Sequence, residues 1–223
     1  MLKIVVGFDQ RESVVYHTFC QSVLSRSSTP VCFIPLALNT LSNYKETHSD
    51  GSNEFIYSRF LTPFLCEYTG WALYADGDMV CLSDINEIFK FADQSKAVQV
   101  VKHDYLSSYT SKYFGNKNEN YPRKNWSSII LWNCSHPSNK KLTKSLVESS
   151  SGKFLHRFSW LDDAEIGDLP LEWNWLATEY KDNYEANLIH YTLGSPCLSD
   201  YKDCKMADLW HGEFEKTIEG IDC

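Results

Sequence analysis

The apolar run Trp71–Ala75 leads directly into Asp76, Gly77 and Asp78. A run of this kind predicts a buried strand that ends at the first aspartate. Side chains two residues apart on a strand share a face, and a glycine allows a tight turn with positive φ. We therefore expect the two carboxylates to converge beyond the strand. Because Mg²⁺ and Mn²⁺ are held by one or two carboxylates together with phosphate oxygens, the junction predicts a metal–diphosphate site.

The composition fits one α/β domain and narrows the classes of ligand. The chain has 223 residues, of which 43% are hydrophobic, enough to form a sizeable core. Its formal charge of −8 and pI near 5.3 argue against nucleic-acid binding, which usually needs a basic face. A phosphate ligand would then need local positive charge from a bound cation or from individual Arg and Lys side chains.

Targeting signals and metal-binding cysteine motifs are not evident in the sequence. No apolar run reaches the roughly 18–20 residues that span a bilayer, and the first segment turns polar too soon for a signal peptide. We therefore expect a cytoplasmic protein. The chain has eight cysteines but no C-x-x-C pair, which favours buried free thiols over disulfides or a zinc site.

Strand-like and helix-like segments alternate along the chain. Apolar runs of strand length occupy residues 2–8, 31–36, 73–75, 97–101, 128–132 and 188–191. Helical patterns occupy residues 14–24, 55–65, 84–91 and 140–147, with a further helix near the C terminus. Asp84 and Ser138 are the predicted caps of the third and fourth helices. This alternation predicts an α/β fold with a largely parallel sheet covered on both faces, in a single domain.

Three polar features fall at the carboxyl ends of predicted strands. They are Asp9, the turn at residues 76–78, and His103, which follows Lys102. Ligands of parallel α/β sheets bind beyond these ends, so we expect one site at this edge. Residues 105–124 are polar, aromatic and without a core pattern, and we predict that they form a mobile loop over that site.

The order and spacing of these pieces resemble the GT-A glycosyltransferases of the family-8 type, the group that includes glycogenin and bacterial galactosyltransferases. Three features carry the resemblance together: the D-x-D after a strand, Tyr57-Ser-Arg59-Phe about 17 residues upstream, and the late Ile189-His190. Further matches follow in the same order along the chain: Gly7-Phe8-Asp9, Trp126 to Asn133, Leu161-Asp162-Asp163, Leu169-Pro170, Trp173-Asn174 and Gly194.

The resemblance implies a GT-A (Rossmann-like) fold with a mixed, mostly parallel sheet flanked by helices. It implies transfer of a sugar from a nucleoside diphosphate sugar, with UDP as the expected nucleotide and Mn²⁺ or Mg²⁺ as the expected ion. The acceptor would be a carbohydrate or another hydroxyl compound, with retention of anomeric configuration. Residues 1–104 would form the nucleotide-sugar half, and residues 105–223 the acceptor-side half with the C-terminal helix.

The resemblance also implies roles for individual residues. The metal ligands would be Asp76, Asp78 and His190. Arg59 would either bridge the nucleotide or brace an aspartate of the turn. The full set expected to contact the nucleotide sugar is Phe8, Asp9, Arg59, Asp76, Gly77, Asp78 and Gly194.

Asp162 and Asp163 are the expected catalytic residues. Sugar transfer passes through an oxocarbenium-like state that a nearby carboxylate can stabilise or attack. The alternative is an acidic start of a surface helix. Trp173, Trp175 and Tyr191 are candidates for stacking on sugar rings, although most such aromatic side chains belong to the core.

The chain departs from the family pattern at two places. The K-P-W that follows the glycine is absent, because the chain continues from Gly194 as Ser-Pro-Cys-Leu. Lys202 and Lys205 are then the candidates for a lysine contact to the diphosphate. Ser127 and Ser128 replace the alanine and glycine of the family's F-N-A-G-V strand.

Two other functions stay open from the sequence. A phosphatase of the haloacid-dehalogenase type also places a D-x-D at a strand end, and Asp162-Asp163 could supply its acidic pair. A sugar-nucleotide-binding module without catalytic activity would fit the missing K-P-W. Phosphate release from an aryl phosphate would identify the first, and UDP binding without turnover would identify the second.

Overall fold

The computed structural model describes residues 1–49 and 51–219. Its strands are β1 (Leu2–Gly7), β2 (Val31–Leu36), β3 (Trp71–Ala75), β4 (Met79–Cys81), β5 (Val98–Val100), β6 (Ser111–Lys112), β7 (Asn116–Lys117), β8 (Ile129–Asn133), β9 (Ile166–Asp168), β10 (Trp175–Leu176) and β11 (Leu188–His190). Its α-helices are α1 (Ser13–Leu24), α2 (Thr62–Leu65), α3 (Lys144–Ser149), α4 (Gly152–His156) and α5 (Ala207–Ile218).

The main sheet has six strands in the order β2-β1-β3-β8-β5-β9. Strand β1 is parallel to β2 and β3, and β5 is parallel to β9. Strand β8 is antiparallel to both of its neighbours, β3 and β5. The mixed, mostly parallel sheet predicted from the sequence is therefore confirmed.

Both faces of the main sheet are buried, because alternate side chains of its central strands enter two different hydrophobic clusters. On β3, Ala72 and Tyr74 enter one cluster and Leu73 and Ala75 enter the other. Helix α1 covers the second cluster, whereas α3 and α4 contribute to the first. The apolar runs of β1 and β3 follow from this two-sided burial, which is typical of sheets with helices on both faces.

A second sheet of three strands, β10-β11-β4, determines where the site forms. The turn after β3 leaves the main sheet and enters β4 directly, and β4 pairs antiparallel with β11. In this register His190, the last residue of β11, lies opposite Met79. The Tyr191 N–H also donates to the Asp78 carbonyl at 3.0 Å. A residue more than a hundred positions downstream is thereby held against the turn at residues 76–78.

Helix types and boundaries differ from the sequence predictions in several places. Residues 55–65 form a 3₁₀ turn, Ser58–Leu61, followed by the short α2, because Pro63 has no N–H and suits only a helix start. Asp84 is a cap as predicted, but the helix that it caps, Ile85–Phe91, is 3₁₀. The cap predicted at Ser138 is wrong: α3 begins at Lys144, where Thr143 Oγ1 accepts from the Leu146 N–H.

The segment predicted as a loop at residues 105–124 contains an antiparallel hairpin, β6–β7. It has one buried aromatic residue, Tyr113, whose N–H donates to the Leu193 carbonyl at 2.7 Å. Strands β9 and β10 were also missed, since runs of two or three residues show no periodicity. The C-terminal helix is present as α5.

Two further expectations concern the membrane and the cysteines. Within residues 1–49 and 51–219, no helix is both long and apolar enough to cross a membrane. Seven cysteines are free thiols, and Cys66, Cys81 and Cys134 among them are buried. The eighth, Cys223, lies outside the described residues.

We expect Trp132→Ala to lower the free energy of unfolding by about 3–5 kcal/mol, because the cavity left by a core indole cannot fully collapse. Trp132 is fully buried on β8 and stacks on Trp160, with ring centroids 6.3 Å apart. Urea denaturation measures the loss. Leu106→Ala, at a side chain 82% exposed, is the control and should change stability by less than about 0.5 kcal/mol. Equal losses in the two variants would contradict this account of the core.

Candidate metal and nucleotide site

A cavity of about 60 Å³ lies beyond the carboxyl end of β3, where the turn at residues 76–78 passes to β4. Two acids, Asp76 and Asp78, and two bases, Arg59 and Lys112, line it together with His190. The two carboxylates therefore converge as the strand–turn pattern predicts. His103, expected at the same edge, lines a neighbouring cavity instead.

Asp76 is buried, and its carboxylate has two strong partners. Tyr74, two residues earlier on the same face of β3, donates its hydroxyl proton to Asp76 Oδ1 at 2.5 Å. The Arg59 guanidinium lies 2.8 Å from the same oxygen. Burial raises the pKa of Asp76 despite the opposing effect of Arg59. Its second oxygen faces the cavity side, 3.9 Å from His190 Nε2.

Arg59 is itself held rigidly by backbone carbonyls. Its Nε donates to the Ile56 carbonyl at 3.1 Å, and its Nη1 donates to the Ser127 carbonyl at 2.8 Å. Burial alone would lower the pKa of Arg59, but the adjacent Asp76 carboxylate outweighs it and the pKa is raised. Of the two roles expected for Arg59, bracing an aspartate of the turn is the one that the contacts provide.

Asp78 and His190 complete a cluster of three possible metal ligands. One ligand atom from each of Asp76, Asp78 and His190 lies within 4.8 Å of the other two. Asp78 Oδ1 is buried without a hydrogen-bond partner, although His190 Nε2 lies 3.2 Å away. A buried, unsatisfied carboxylate oxygen next to an imidazole and a second carboxylate suits a divalent cation such as Mn²⁺ or Mg²⁺.

The imidazole of His190 is oriented by Asn174, a residue to which the sequence analysis gave no site role. The Asn174 amide nitrogen donates to the Asn125 carbonyl at 3.2 Å and to Ser128 Oγ at 3.0 Å. Its oxygen is thus directed to His190 Nδ1, 2.9 Å away, which must carry the ring proton. The other ring nitrogen, Nε2, faces the two aspartates and is the one placed to bind an ion, the arrangement common for metal-binding histidines.

Gly77 is required for a reason other than the one expected. Its φ is not positive, since in the described chain only Gly70 and Gly115 among the glycines have positive φ. A Cβ at Gly77 would instead lie 2.6 Å from the Gly7 carbonyl oxygen. The glycine therefore allows the metal turn to pack against the end of β1, and the expected positive-φ turn is wrong.

Phe8 and Asp9 follow β1 beside a smaller cavity that Asp9, Gly77 and Asp78 line. Both oxygens of Asp9 accept from the Arg11 side chain, at 2.9 and 2.5 Å. Burial would raise the pKa of Asp9, but the hydrogen bonds from Arg11 outweigh it and the pKa is lowered. Phe8 is half-buried against Tyr16, with ring centroids 5.6 Å apart. Neither residue lines the metal cavity, but Asp9 adjoins it through the smaller one.

A further acid, Glu12, also lines the smaller cavity. Burial, and next the charges of Asp78 and Asp9, raise the pKa of Glu12 to about 7. Its carboxylate accepts from Ser195 Oγ at 3.3 Å. The edge of the metal site thus holds several carboxyl groups close together, a concentration of negative charge that a bound cation would relieve.

The structure does not bring the other predicted residues to the metal cavity. Gly194 packs against the Tyr201 ring, which a Cβ would approach to 2.4 Å. Asp162 and Asp163 are exposed: the Asp162 N–H donates to Glu165, and Asp163 pairs with Arg123 at 2.5 Å. Their catalytic role stays a prediction.

Lysine and aromatic candidates from the sequence also lie elsewhere. Lys202 pairs with Asp203, and Lys205 donates to the Tyr180 carbonyl. The three aromatic residues considered for sugar stacking are buried core residues: Trp173, Trp175 and Tyr191.

Four residues that line the rest of the cavity were not identified from the sequence. Lys112 and Tyr113 come from the β6–β7 hairpin, Tyr121 follows it, and His156 ends α4. His156 Nδ1 pairs with Ser127 Oγ at 2.8 Å, while its buried Nε2 has no partner. Residues 105–124 are rich in aromatic and basic side chains, and this composition was the available signal. Because these side chains show no periodicity, the sequence did not indicate which of them would line the cavity.

We expect Gly77→Ala to lower the free energy of unfolding by about 1–3 kcal/mol, because the new methyl group meets a backbone carbonyl that cannot rotate away. Gly212→Ala is the matched control. A Cβ at Gly212 meets nothing within 4 Å, and the residue lies inside α5, so alanine should stabilise the protein by about 0.5–1 kcal/mol. Urea titration of both variants tests the opposite signs, and a neutral or stabilising Gly77→Ala would contradict the close approach.

We expect two buried histidines to make the protein lose stability as the pH falls below 6.5, an effect that the raised pKa of Glu12 offsets only in part. Burial lowers the pKa of His103 and of His156 to about 3, from 6.5 for an unfolded chain. Between these values the unfolded chain binds protons that the folded protein does not, so the contribution is complete above pH 6.5 and declines below it. The slope is at most about 1.4 kcal/mol per pH unit for each histidine.

The measurement is urea denaturation at about pH 5.5 and about pH 7.5, either side of the unfolded-state histidine pKa. His156→Asn should reduce the difference between the two pH values, whereas His17→Asn, at an exposed histidine, should leave it unchanged. An unchanged pH difference in the His156 variant would rule out the buried neutral imidazole.

Comparison with known proteins finds a related sequence and several similar folds. No family model matches the chain. Protein CDI of Arabidopsis thaliana is 42% identical over 223 residues, an alignment that covers 96% of this chain and 86% of that protein.

Several solved glycosyltransferases have a similar fold. The bifunctional glycosyltransferase WbbM superposes with a TM-score of 0.68 at 14% identity, and GlyE of Streptococcus pneumoniae TIGR4 with 0.64 at 12% identity. Each alignment covers 96% of this chain, which spans only 49% of WbbM and 61% of GlyE. The galactosyltransferase LgtC, solved with donor and acceptor sugar analogues, superposes with 0.59 at 14% identity, covering 96% of both chains. The fold is therefore that of the GT-A glycosyltransferases, and by its identity to the Arabidopsis protein the chain belongs to the family of Protein CDI.

Proposed function

We propose that this protein is a metal-dependent glycosyltransferase that moves a sugar from a nucleoside diphosphate sugar to an acceptor hydroxyl. The observation that carries the proposal is the cluster of Asp76, Asp78 and His190, with ligand atoms within 4.8 Å, at a strand end of a glycosyltransferase fold. Strand ends of α/β sheets are where such ligands bind. The LgtC structure, with its donor and acceptor analogues, supports the same pairing of substrates here.

A divalent cation bound by this cluster would stabilise the negative charge of the leaving diphosphate as a Lewis acid. Other residues of the protein hold the candidate ligand side chains in place. Arg59 and Tyr74 fix one oxygen of Asp76, and Asn174 fixes the ring of His190. The ligand atoms are therefore held before the ion arrives, which lowers the cost of ordering them on binding.

The nucleoside is assigned to the region beside Asp9 and Gly77, where the smaller cavity of about 10 Å³ would have to widen to hold it. The proposal takes UDP with Mn²⁺ as donor nucleotide and ion. The support for both is the family-8 resemblance of the motifs, which also supports retention of anomeric configuration. The acceptor is assigned to a cavity of about 290 Å³ that shares Tyr121 and His156 with the metal cavity.

The phosphatase alternative has no comparable support. It needs a free nucleophilic aspartate and a second acidic pair in the cavity. Asp76 Oδ1 is shared by Tyr74 and Arg59, and neither Asp162 nor Asp163 lines the cavity. Phosphate release from an aryl phosphate that Asp76→Asn abolishes would nevertheless establish it.

We expect UDP or a UDP-sugar to raise the melting temperature in the presence of Mn²⁺ but not in its absence. A ligand at about 100 times its Kd stabilises the folded state by about 2.7 kcal/mol, which a thermal-shift screen of nucleotides and nucleotide sugars detects. Asp78→Ala should abolish the Mn²⁺-dependent shift because it removes the unsatisfied ligand oxygen. Asp200→Ala, at an exposed acid, is the control.

Three results would change the proposal. Unchanged metal dependence in Asp78→Ala would remove the metal cluster from it. No shift with any nucleotide and Mn²⁺ would overturn it. Binding of UDP without turnover of any UDP-sugar, with acceptors or water, would assign the protein to the non-catalytic binding modules.

A further inference from the structure

We propose that Lys112, on the β6–β7 hairpin, binds the diphosphate of the donor and supplies the positive charge that no lysine after Gly194 provides. The proposal rests on the proposed function of the same site and names one of its binding residues. It follows from the charges that line the cavity and from how each of them is already engaged.

The charge of the cavity balances only if a second cation contacts the ligand. Asp76 and Asp78, with the Arg59 that pairs with Asp76, and a divalent ion would together carry one positive charge. The diphosphate of a sugar nucleotide then brings about two further negative charges, and more develops as the leaving group departs. In the described part of the chain, Arg59 and Lys112 are the Arg and Lys side chains that line the cavity.

Arg59 is already engaged and cannot serve this role without losing its partners. Its guanidinium contacts Asp76 and donates to two backbone carbonyls, those of Ile56 and Ser127. Moving it toward a phosphate would leave the buried Asp76 carboxylate without its cation, at a large cost in free energy. We therefore assign the positive charge of Arg59 to the carboxylate of Asp76 and not to the diphosphate.

Lys112 is available because its partner is neutral. Its Nζ donates to Ser52 Oγ at 3.0 Å, and within residues 1–49 and 51–219 it forms no ion pair with a carboxylate. An ammonium group has three donors, so two remain for phosphate oxygens. Burial lowers the pKa of Lys112, while the charges of Asp78 and Asp76 act in the opposite direction, which indicates how near the ammonium lies to them.

The hairpin is attached to the segment where the missing lysine would stand. The Tyr113 N–H donates to the carbonyl of Leu193, the residue before Gly194. The Tyr113 hydroxyl also accepts from Asn53 Nδ2 at 3.4 Å. Lys112 therefore lines the cavity from the hairpin, whereas Lys202 and Lys205 contact partners elsewhere.

The size of the cavity indicates that this lysine arrives with a moving element. A volume of about 60 Å³ cannot hold a nucleotide sugar, which needs a site of several hundred Å³. The β6–β7 hairpin is one of the cavity's walls, and it pairs with neither of the two larger sheets. Displacing it would admit the donor, and its return would bring Lys112 onto the diphosphate.

The test compares UDP and UMP binding, with Mn²⁺, by titration calorimetry in the wild-type protein and in Lys112→Met. We expect Lys112→Met to weaken UDP binding by about 10- to 100-fold, the effect of removing one charge-assisted hydrogen bond from a desolvated site. UMP lacks the second phosphate and should be affected much less, so the preference for UDP over UMP falls. Lys112→Arg keeps the charge and should recover most of the affinity.

Lys117→Met is the matched control, because Lys117 is an exposed lysine on the partner strand of the same hairpin. Ser52→Ala tests whether the hydroxyl partner alone matters, and it should leave UDP binding within about threefold. Melting curves of each variant without ligand separate loss of binding from loss of folding.

The possible outcomes distinguish a failure of this inference from a failure of the proposed function. If the wild-type protein binds UDP with Mn²⁺ and Lys112→Met binds it equally well, the role of Lys112 is overturned and the proposed function stands. An equal loss of UDP and UMP affinity would assign Lys112 a structural role only and also overturn it. If the wild-type protein binds neither UDP, GDP nor ADP with Mn²⁺, both proposals fail.

Discussion

The buried ion pair between Arg59 and Asp76 is the interaction on which the site depends. One guanidinium joins the 3₁₀ turn Ser58–Leu61, the end of β3 and the carbonyl of Ser127, just before β8. A charge removed from water is tolerated only where such partners satisfy it, and breaking a buried pair commonly costs about 3–5 kcal/mol. The same contacts orient Asp76, so stability and the geometry of the candidate metal ligands have a common origin.

Two sheets meet at this point, and their meeting makes a site from distant residues. Strand β3 ends in the main sheet and β4 begins the small one, with only the turn at residues 76–78 between them. Gly77 lets this turn pass against the Gly7 carbonyl. Pairing of β4 with β11 then brings His190 to the turn. The function therefore depends on backbone pairing as much as on the acidic side chains.

The parts of the fold that could be predicted are those with a continuous local signal. Strands β1 and β2 and helix α1 are six or more residues long and apolar, so their positions were found to within a residue or two. Strands β6, β7, β9 and β10 have two or three residues and show no period. In the site, Asp76 and Asp78 were identified because they are neighbours in sequence. Lys112 and His156 become neighbours only through tertiary packing, which no local pattern records.

The two serines that replace small residues in the expected motif both form side-chain hydrogen bonds. Ser127 Oγ pairs with His156, and Ser128 Oγ accepts from the amide of Asn174. Each hydroxyl satisfies a group that lines or supports the cavity, so the departure from the expected motif is compensated by tertiary hydrogen bonds. The sequence pattern showed the replacement but could not show these partners, since both lie more than twenty residues away.

The carbonyl of Asn125 lies at the end of the segment that carries the hairpin, and it accepts from the same Asn174 amide that orients His190. The imidazole is thus two hydrogen bonds away from the covering segment. If that segment swings outward and withdraws its carbonyl, the amide loses one of the two acceptors that fix its orientation, and the ring loses its anchor. Under the proposed function, uncovering the site would then weaken cation binding when the nucleotide product leaves.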